Sequence, residues 1–292
     1  MKELVKKILQ NFGLQIRRLE KNDFDNECYK VFYPEESIIS KNFYNVGAGG
    51  FSHPYWTNID YFSDWYEGNS ELTEKGIPFD LYSMEPIPVP DGVAELIYSS
   101  HTIEHIKDQH AQNFFNESWR LLKKDGLIRI VCPDIDLHYA ALKNNDPSFF
   151  YSWRGAYPTE AEYKKVMLNK PLNEASIEQL FLESFASASS TLHLDGAQQR
   201  ISDEELRNLF KEIPYEEALD FCCNKCPIEI QRKYPGNHTN WWNREKVTEM
   251  MKSAGFNNIY ISGYGQSRSP VLRDTKLFDT LPEISLFVEA RK

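Results

Sequence analysis

The sequence predicts an α/β fold built on a mostly parallel sheet with helices on both faces. Three observations predict it. Short apolar runs alternate with helical stretches from Lys41 onward, a glycine turn stands directly after the first run, and the same rhythm returns near the end of the chain after a long interruption.

The opening stretch, Met1 to Leu19, sets Leu4, Ile8 and Phe12 at helical spacing among Lys2, Lys6, Lys7, Arg17 and Arg18. It reads as a basic amphipathic helix that docks on its own domain, with an anionic membrane surface as the alternative site. The first strand is Asn42 to Val46, followed by the turn Gly47-Ala48-Gly49-Gly50. Trp56 to Tyr61, Phe79 to Tyr82 and Ala94 to Ser100 read as the next three strands, the last of them after the turn Pro90-Asp91-Gly92. Asn113 to Lys124 reads as a helix stopped by Asp125-Gly126, and Leu127 to Cys132 as a fifth strand. Later, Arg244 to Ala254 is a helix closed by Gly255, with strands at Asn258 to Ser262 and Ile284 to Ala290.

Between these halves the strand rhythm stops, and the chain becomes polar, aromatic, helix-prone and punctuated by proline. The expected organisation is an N-terminal helix and linker (1–38), a first half of the core (39–142), an inserted cap for the acceptor (143–235) and a second half of the core (236–292). Insertions at the carboxyl ends of a parallel sheet are where such folds place specificity.

The 292 residues carry a net charge of -10, which argues against a nucleic-acid binder, since phosphate backbones are met by basic surfaces. Five cysteines form no regular framework, and no apolar run is long enough for a signal peptide or a membrane span. A reducing, cytoplasmic setting is expected, and the oligomeric state is left open.

A glycine turn after a buried strand lets backbone approach a ligand and aims the amides of a following helix at it. A dinucleotide fingerprint needs a third glycine, where Ser52 stands, so a nicotinamide or flavin site is disfavoured. Asp60 ends the second strand, with Tyr61 beside it, where a carboxylate can bind both ribose hydroxyls or simply cap a turn. Asp80 and Leu81 lie at the matching end of the third strand, with the same two readings.

Taken together, the run Tyr44 to Gly50, Asn58-Ile59-Asp60, Asp80-Leu81, Ile87 to Gly92, Ser99 to Ile106 and Trp119 to Asp134 resembles the class I S-adenosylmethionine-dependent methyltransferases often grouped as type 11. The resemblance runs from about Lys41 to Leu142 and resumes near His238. It implies a Rossmann-like, mostly parallel seven-stranded sheet with an insertion after the fifth strand. It also implies S-adenosylmethionine lying over Gly47, Ala48 and Gly49, with its ribose at Asp60, its adenine near Asp80 and Leu81, and its methionine end facing Ser99, Ser100 and His101. Asn45 stands where many relatives carry an acidic residue for the cofactor's ammonium, so that contact passes through an amide or a water.

Methyl transfer from a sulfonium is an in-line displacement, so alignment matters most, and a base is needed only for a hydroxyl or a protonated amine. His101 leads as that base, with Asp134 and His238 as further catalytic candidates. Asp134 has a capping role as its alternative, and His105 has fixing the loop. His105, His193, Asn240 and Trp241 are the expected acceptor contacts, the last two in a segment of flat rings and amides that suits a sugar. No metal is expected. Cys222, Cys223 and Cys226 lack a second close pair for structural zinc, and magnesium at Asp134 is set aside.

The expected activity is methylation, chiefly O-methylation, of a small acceptor, a sugar, nucleotide-sugar or surface-glycan precursor, including phosphoryl or amine groups on it. A non-catalytic cofactor-binding or scaffold protein of the same fold is the alternative.

Overall fold

A computed structural model describes residues 23–61, 76–195 and 200–292. The basic stretch Met1 to Leu19 lies outside the described residues. Helices α1 (Asp23–Phe32) and α2 (Glu35–Ile39) lead into the sheet. Its strands are β1 (Phe43–Val46), β2 (Trp56–Asp60), β3 (Ile77–Pro78), β4 (Ala94–Ser100), β5 (Leu122–Pro133), β6 (Asn258–Ser262) and β7 (Ser285–Arg291). The order across the sheet is β3-β2-β1-β4-β5-β7-β6, parallel throughout except for β7, which is antiparallel to both β5 and β6. The expected seven-stranded, mostly parallel sheet is therefore the observed one. β1 and the core of β4 are buried along their length, as strands covered on both faces must be.

Three local readings change. Phe79 to Tyr82 is not a strand: β3 is the shorter Ile77–Pro78, because the Asp80 side chain accepts the N–H of Tyr82 and caps a 3-10 turn at Leu81–Ser83. Helix α3 (Asp108–Leu121) starts earlier than Asn113 and ends earlier than Lys124, since Leu122 pairs with Ala94 and already belongs to β5. No helix follows the glycine turn, and the chain passes through short turns straight into β2. The remaining strands and the helix Arg244–Ser253 agree with the sequence reading to within a residue or two, except that β5 also begins earlier than expected.

One face of the sheet is covered by α3 and by the helix Arg244–Ser253, which bury Phe114, Phe115, Leu121, Val247 and Met251 against Ile97, Ile128 and Val288. Gly255 follows that helix with φ +109°, and a Cβ there would press on the Trp119 ring at 3.2 Å. The other face packs Phe43, Trp56, Tyr98 and Phe287 against Tyr29, Leu272 and Phe278. The indole N–H of Trp56 donates to the Tyr29 hydroxyl, tying α1 to β2.

After β5 come α4 (Ile135–Lys143), α5 (Glu160–Lys165), α6 (Ile177–Glu183), α7 (Asp203–Glu212), α8 (Tyr215–Asn224), α9 (Ile228–Lys233) and then α10 (Arg244–Ser253). Thr159 and Ser202 start α5 and α7 with reciprocal capping boxes to Glu162 and Glu205. These helices have a core of their own, around Leu180, Phe181, Leu206 and Leu219, which extends to Ile135 and Trp241. Cys222, Cys223 and Cys226 sit inside it, and burial pushes their thiols up, away from the thiolate that a metal needs.

Candidate functional site: two cavities that share a wall

The chain leaves β1 for β2 on one side and later enters β4 for β5 on the other, so the strand order reverses between β1 and β4. Ligands of open α/β sheets bind in the crevice at the carboxyl ends of strands at such a point. A cavity of about 330 Å³ lies there, lined among others by Gly47, Ala48, Gly49, Asp60, Ser100 and His101. That volume is in the range of small-molecule sites.

Its floor is set by close backbone packing. Gly47 has φ +71°, and a Cβ there would stand 2.0 Å from the Thr102 hydroxyl oxygen. Above Gly49 the space is open. In place of a helix N-terminus, a carboxylate orders the turn: Asp60 accepts the Gly49 N–H at 2.7 Å and is also bonded by the amides of Ala48 and Tyr61. Burial raises the Asp60 carboxyl pKa, and these amides pull against that rise without cancelling it. A nucleoside's ribose hydroxyls fit such an acceptor, and the open room over Gly49 leaves space for the ligand. Tyr61, Asp80 and Leu81 also line the cavity.

At the far wall the sequence reading missed a contributor. Arg232 of α9 reaches back from the end of the intervening segment to Asp80, 3.1 Å from its Oδ2, and lies over the Tyr82 ring. Gln231 and Pro235 line the cavity beside it. No pattern near Arg232 announces this, because the contact is made between residues far apart in the chain.

A second cavity, of about 170 Å³, shares His101 and His105 with the first. Its other walls include His138, Trp153, Arg154, Glu183 and His238. Arg154 and Glu183 form an ion pair at 2.5 Å. His138 and His238 each donate Nδ1–H to a backbone carbonyl, of Asp134 at 2.8 Å and of Ser184 at 2.6 Å. Burial lowers both imidazoles to about 4, so they are neutral near pH 7. His101 itself has φ +51°, a left-handed conformation uncommon outside glycine that here sets the ring between the two cavities.

Several expected site residues are placed elsewhere. Asn45 is buried in the middle of β1 and Ser99 in β4, where its hydroxyl donates to Val46 O; neither lines these two cavities. Asp134 caps α4 by accepting the Asp136 N–H, and burial raises its carboxyl to about 6. It too lines neither cavity. Asn240 is buried and donates to Ile106 O and Asp108, while the Trp241 indole N–H donates to Asp220. His193 is buried against Asn237 and Asp195. For these three the polar partners are within the protein, and the rings that looked like a sugar platform are core packing.

A sheet of this order with a carboxylate-braced glycine turn at its switch point has the build of a class I methyltransferase. Residues 51–130 match the family model described as a methyltransferase domain, a stretch that holds Asp60, Asp80, Leu81 and the loop from Ser99 to Ile106. The matched stretch is similar to a domain of the kind that takes its methyl group from S-adenosylmethionine. No curated protein matches the sequence. Similar solved structures include the CurJ carbon methyltransferase, with 9% identity and a TM-score of 0.37, aligned over 85% of this chain and 47% of that one, so this chain spans about half of its length. A methyltransferase from Thermotoga maritima, described as a possible histamine N-methyltransferase, has 12% identity and a TM-score of 0.37 over 92% of this chain and 87% of that one. A further S-adenosylmethionine-dependent methyltransferase, from Archaeoglobus fulgidus, has 11% identity and a TM-score of 0.37 over 100% and 95% of the two chains. Among the described residues, no helix is long and apolar enough to cross a membrane.

Proposed function

We propose that this chain is an S-adenosylmethionine-dependent methyltransferase that acts on a hydroxyl of a small carbohydrate acceptor, a sugar, nucleotide-sugar or surface-glycan precursor. The observation that carries the reading is the second cavity, which meets the cofactor cavity at His101 and His105. Around it stand a flat indole, an Arg-Glu pair, two serines and neutral imidazoles, a mixture of ring face, donors and acceptors that suits the alternating faces and edges of a sugar. In this reading Asp60 takes the ribose hydroxyls, the Gly47 to Gly49 turn lies under the cofactor, and Asp80 with Leu81 borders the adenine. The segment 143–235 acts as the acceptor cap, and His101 stands where the acceptor hydroxyl meets the methyl group.

The test is methyl transfer from isotopically labelled S-adenosylmethionine to a panel of free sugars, nucleotide sugars and matched amines. Label is expected on a sugar oxygen. Label found on amines alone would overturn the hydroxyl reading.

A further inference from the structure

Glu104 is 1% exposed, no backbone amide or hydroxyl among the described residues bonds its carboxylate, and the nearest nitrogen is His101 Nδ1. A buried anion in that state is costly unless a cation meets it. What surrounds it is a ring of imidazole nitrogens. One ligand atom each from Glu104, His105 and His238 lie within 4.8 Å of one another. His105 Nε2 is 3.9 Å and His101 Nδ1 3.1 Å from Glu104 Oε1.

The outward-facing nitrogens of these rings decide where their protons are. His105 Nδ1 meets the carbonyl of Asn237 at 2.8 Å and His238 Nδ1 meets that of Ser184 at 2.6 Å. A carbonyl only accepts, so both Nδ1 atoms carry hydrogen, and Nε2 is the nitrogen each ring can offer to an ion. His101 Nε2 meets the Ser285 hydroxyl at 3.0 Å, while that hydroxyl gives its own hydrogen to Leu281 O at 2.7 Å. His101 therefore donates through Nε2 and turns Nδ1 toward Glu104 Oε1, 3.1 Å away. Imidazole nitrogens of His101, His105 and His238 thus converge on one buried carboxylate. Fixing a ring by an outer hydrogen bond to a carbonyl or hydroxyl is the arrangement that metal-ligating histidines use.

We propose that Glu104, His105 and His238, with His101 beside them, bind one divalent transition-metal ion of the zinc class at the seam between the two cavities. Imidazole nitrogens with one carboxylate suit Zn²⁺, Co²⁺ or Fe²⁺, whereas Mg²⁺ and Ca²⁺ call for shells of oxygen. Bond lengths of about 2.0 to 2.2 Å set two tetrahedral ligands roughly 3.4 Å apart, so the spacings here close with small side-chain rotations. The sequence shows Glu104-His105 as neighbours, but His238 comes from a distant segment that only folding brings to them. An ion at this seam would also bind an acceptor hydroxyl and ease its deprotonation, a role that rests on the acceptor reading above, while the site itself does not.

The test is titration of the chelator-treated full chain with Co²⁺, read by the visible d–d bands of a low-coordinate ion. One equivalent is expected to bind, with a rise in melting temperature, and His238→Gln should weaken binding by about tenfold or more. Cys222→Ser should leave the spectrum unchanged. In the wild-type chain, the exchangeable Nδ1 protons of His105 and His238 should appear paramagnetically shifted, a readout that needs no variant to fold. No stoichiometric binding, unshifted histidine protons, or a thiolate charge-transfer band lost in Cys222→Ser would overturn the site. Bound metal without methyl transfer to any sugar would count against the acceptor reading and leave the site standing.

Discussion

Asp60 has two tasks that one substitution separates from the rest of the fold. It braces the glycine turn through the Gly49 amide and lines the cavity at the switch point, the proposed cofactor site. Asp60→Ala is expected to weaken S-adenosylmethionine binding by roughly 1.5 to 3 kcal/mol, the usual worth of a hydrogen bond to a charged group, measured by calorimetry. An unchanged dissociation constant would remove Asp60 from the ribose site. Gly47→Ala acts differently. It combines a left-handed backbone with a methyl group driven into Thr102, so both stability and cofactor affinity should fall, seen together in thermal melts with and without ligand. The turn and the carboxylate that ends β2 were legible in the sequence, because both act through local backbone. Asn240, Trp241 and His193 misled for the opposite reason: a polar or aromatic side chain looks the same in sequence whether its partner is a ligand or a buried carbonyl.

Among the elements, a buried charge cluster joins β5 to β7 and to the segment before β7. Arg129 is fully buried and donates to Asp279 through two nitrogens, at 2.7 and 2.6 Å, and to Glu289 at 2.9 Å. Replacing it by Met would strand two carboxylates in the interior, and a loss of about 3 to 5 kcal/mol is expected in denaturant unfolding. A triple change that also makes both carboxylates apolar should recover much of that loss. The strands themselves were readable from their apolar runs and turn signals. β3 was misread because Phe79 to Tyr82 is apolar enough for a strand while Asp80 turns the chain there. The early start of α3 was hidden by its polar first turn, Asp108-Gln109-His110. The helices of the intervening segment obey ordinary capping rules, but their packing against the core is a property of distance in space, which one-dimensional spacing does not carry.

For the whole molecule, stability should depend on pH through buried imidazoles. Burial lowers His53 and His138 to about 4, against an ordinary value of 6.5. The unfolded chain then binds protons below pH 6.5 that the folded chain refuses, so their contribution is complete above that pH and is lost as the pH falls toward 4. Asp134, raised to about 6 from 3.8, has the opposite sign: it favours the folded state below its ordinary value and loses that contribution as pH rises through 6. Melting temperature measured from pH 7 to 4 should therefore decline on acidification, the decline becoming steeper in Asp134→Asn and shallower in His53→Gln. A profile left unchanged by His53→Gln would show that this imidazole titrates normally.

The ion pair from Arg232 to Asp80 also sets an order of assembly. During synthesis the ribosome delivers Gly47, Asp60 and Asp80 early, yet the wall that Arg232 completes exists only after the intervening helices have emerged and packed. A ligand of this cavity thus meets its full binding surface only once the chain has been made past Arg232. Its binding should then join the unfolding of the intervening segment to that of the sheet, so that two melting transitions resolved without S-adenosylmethionine would draw together as the ligand approaches saturation.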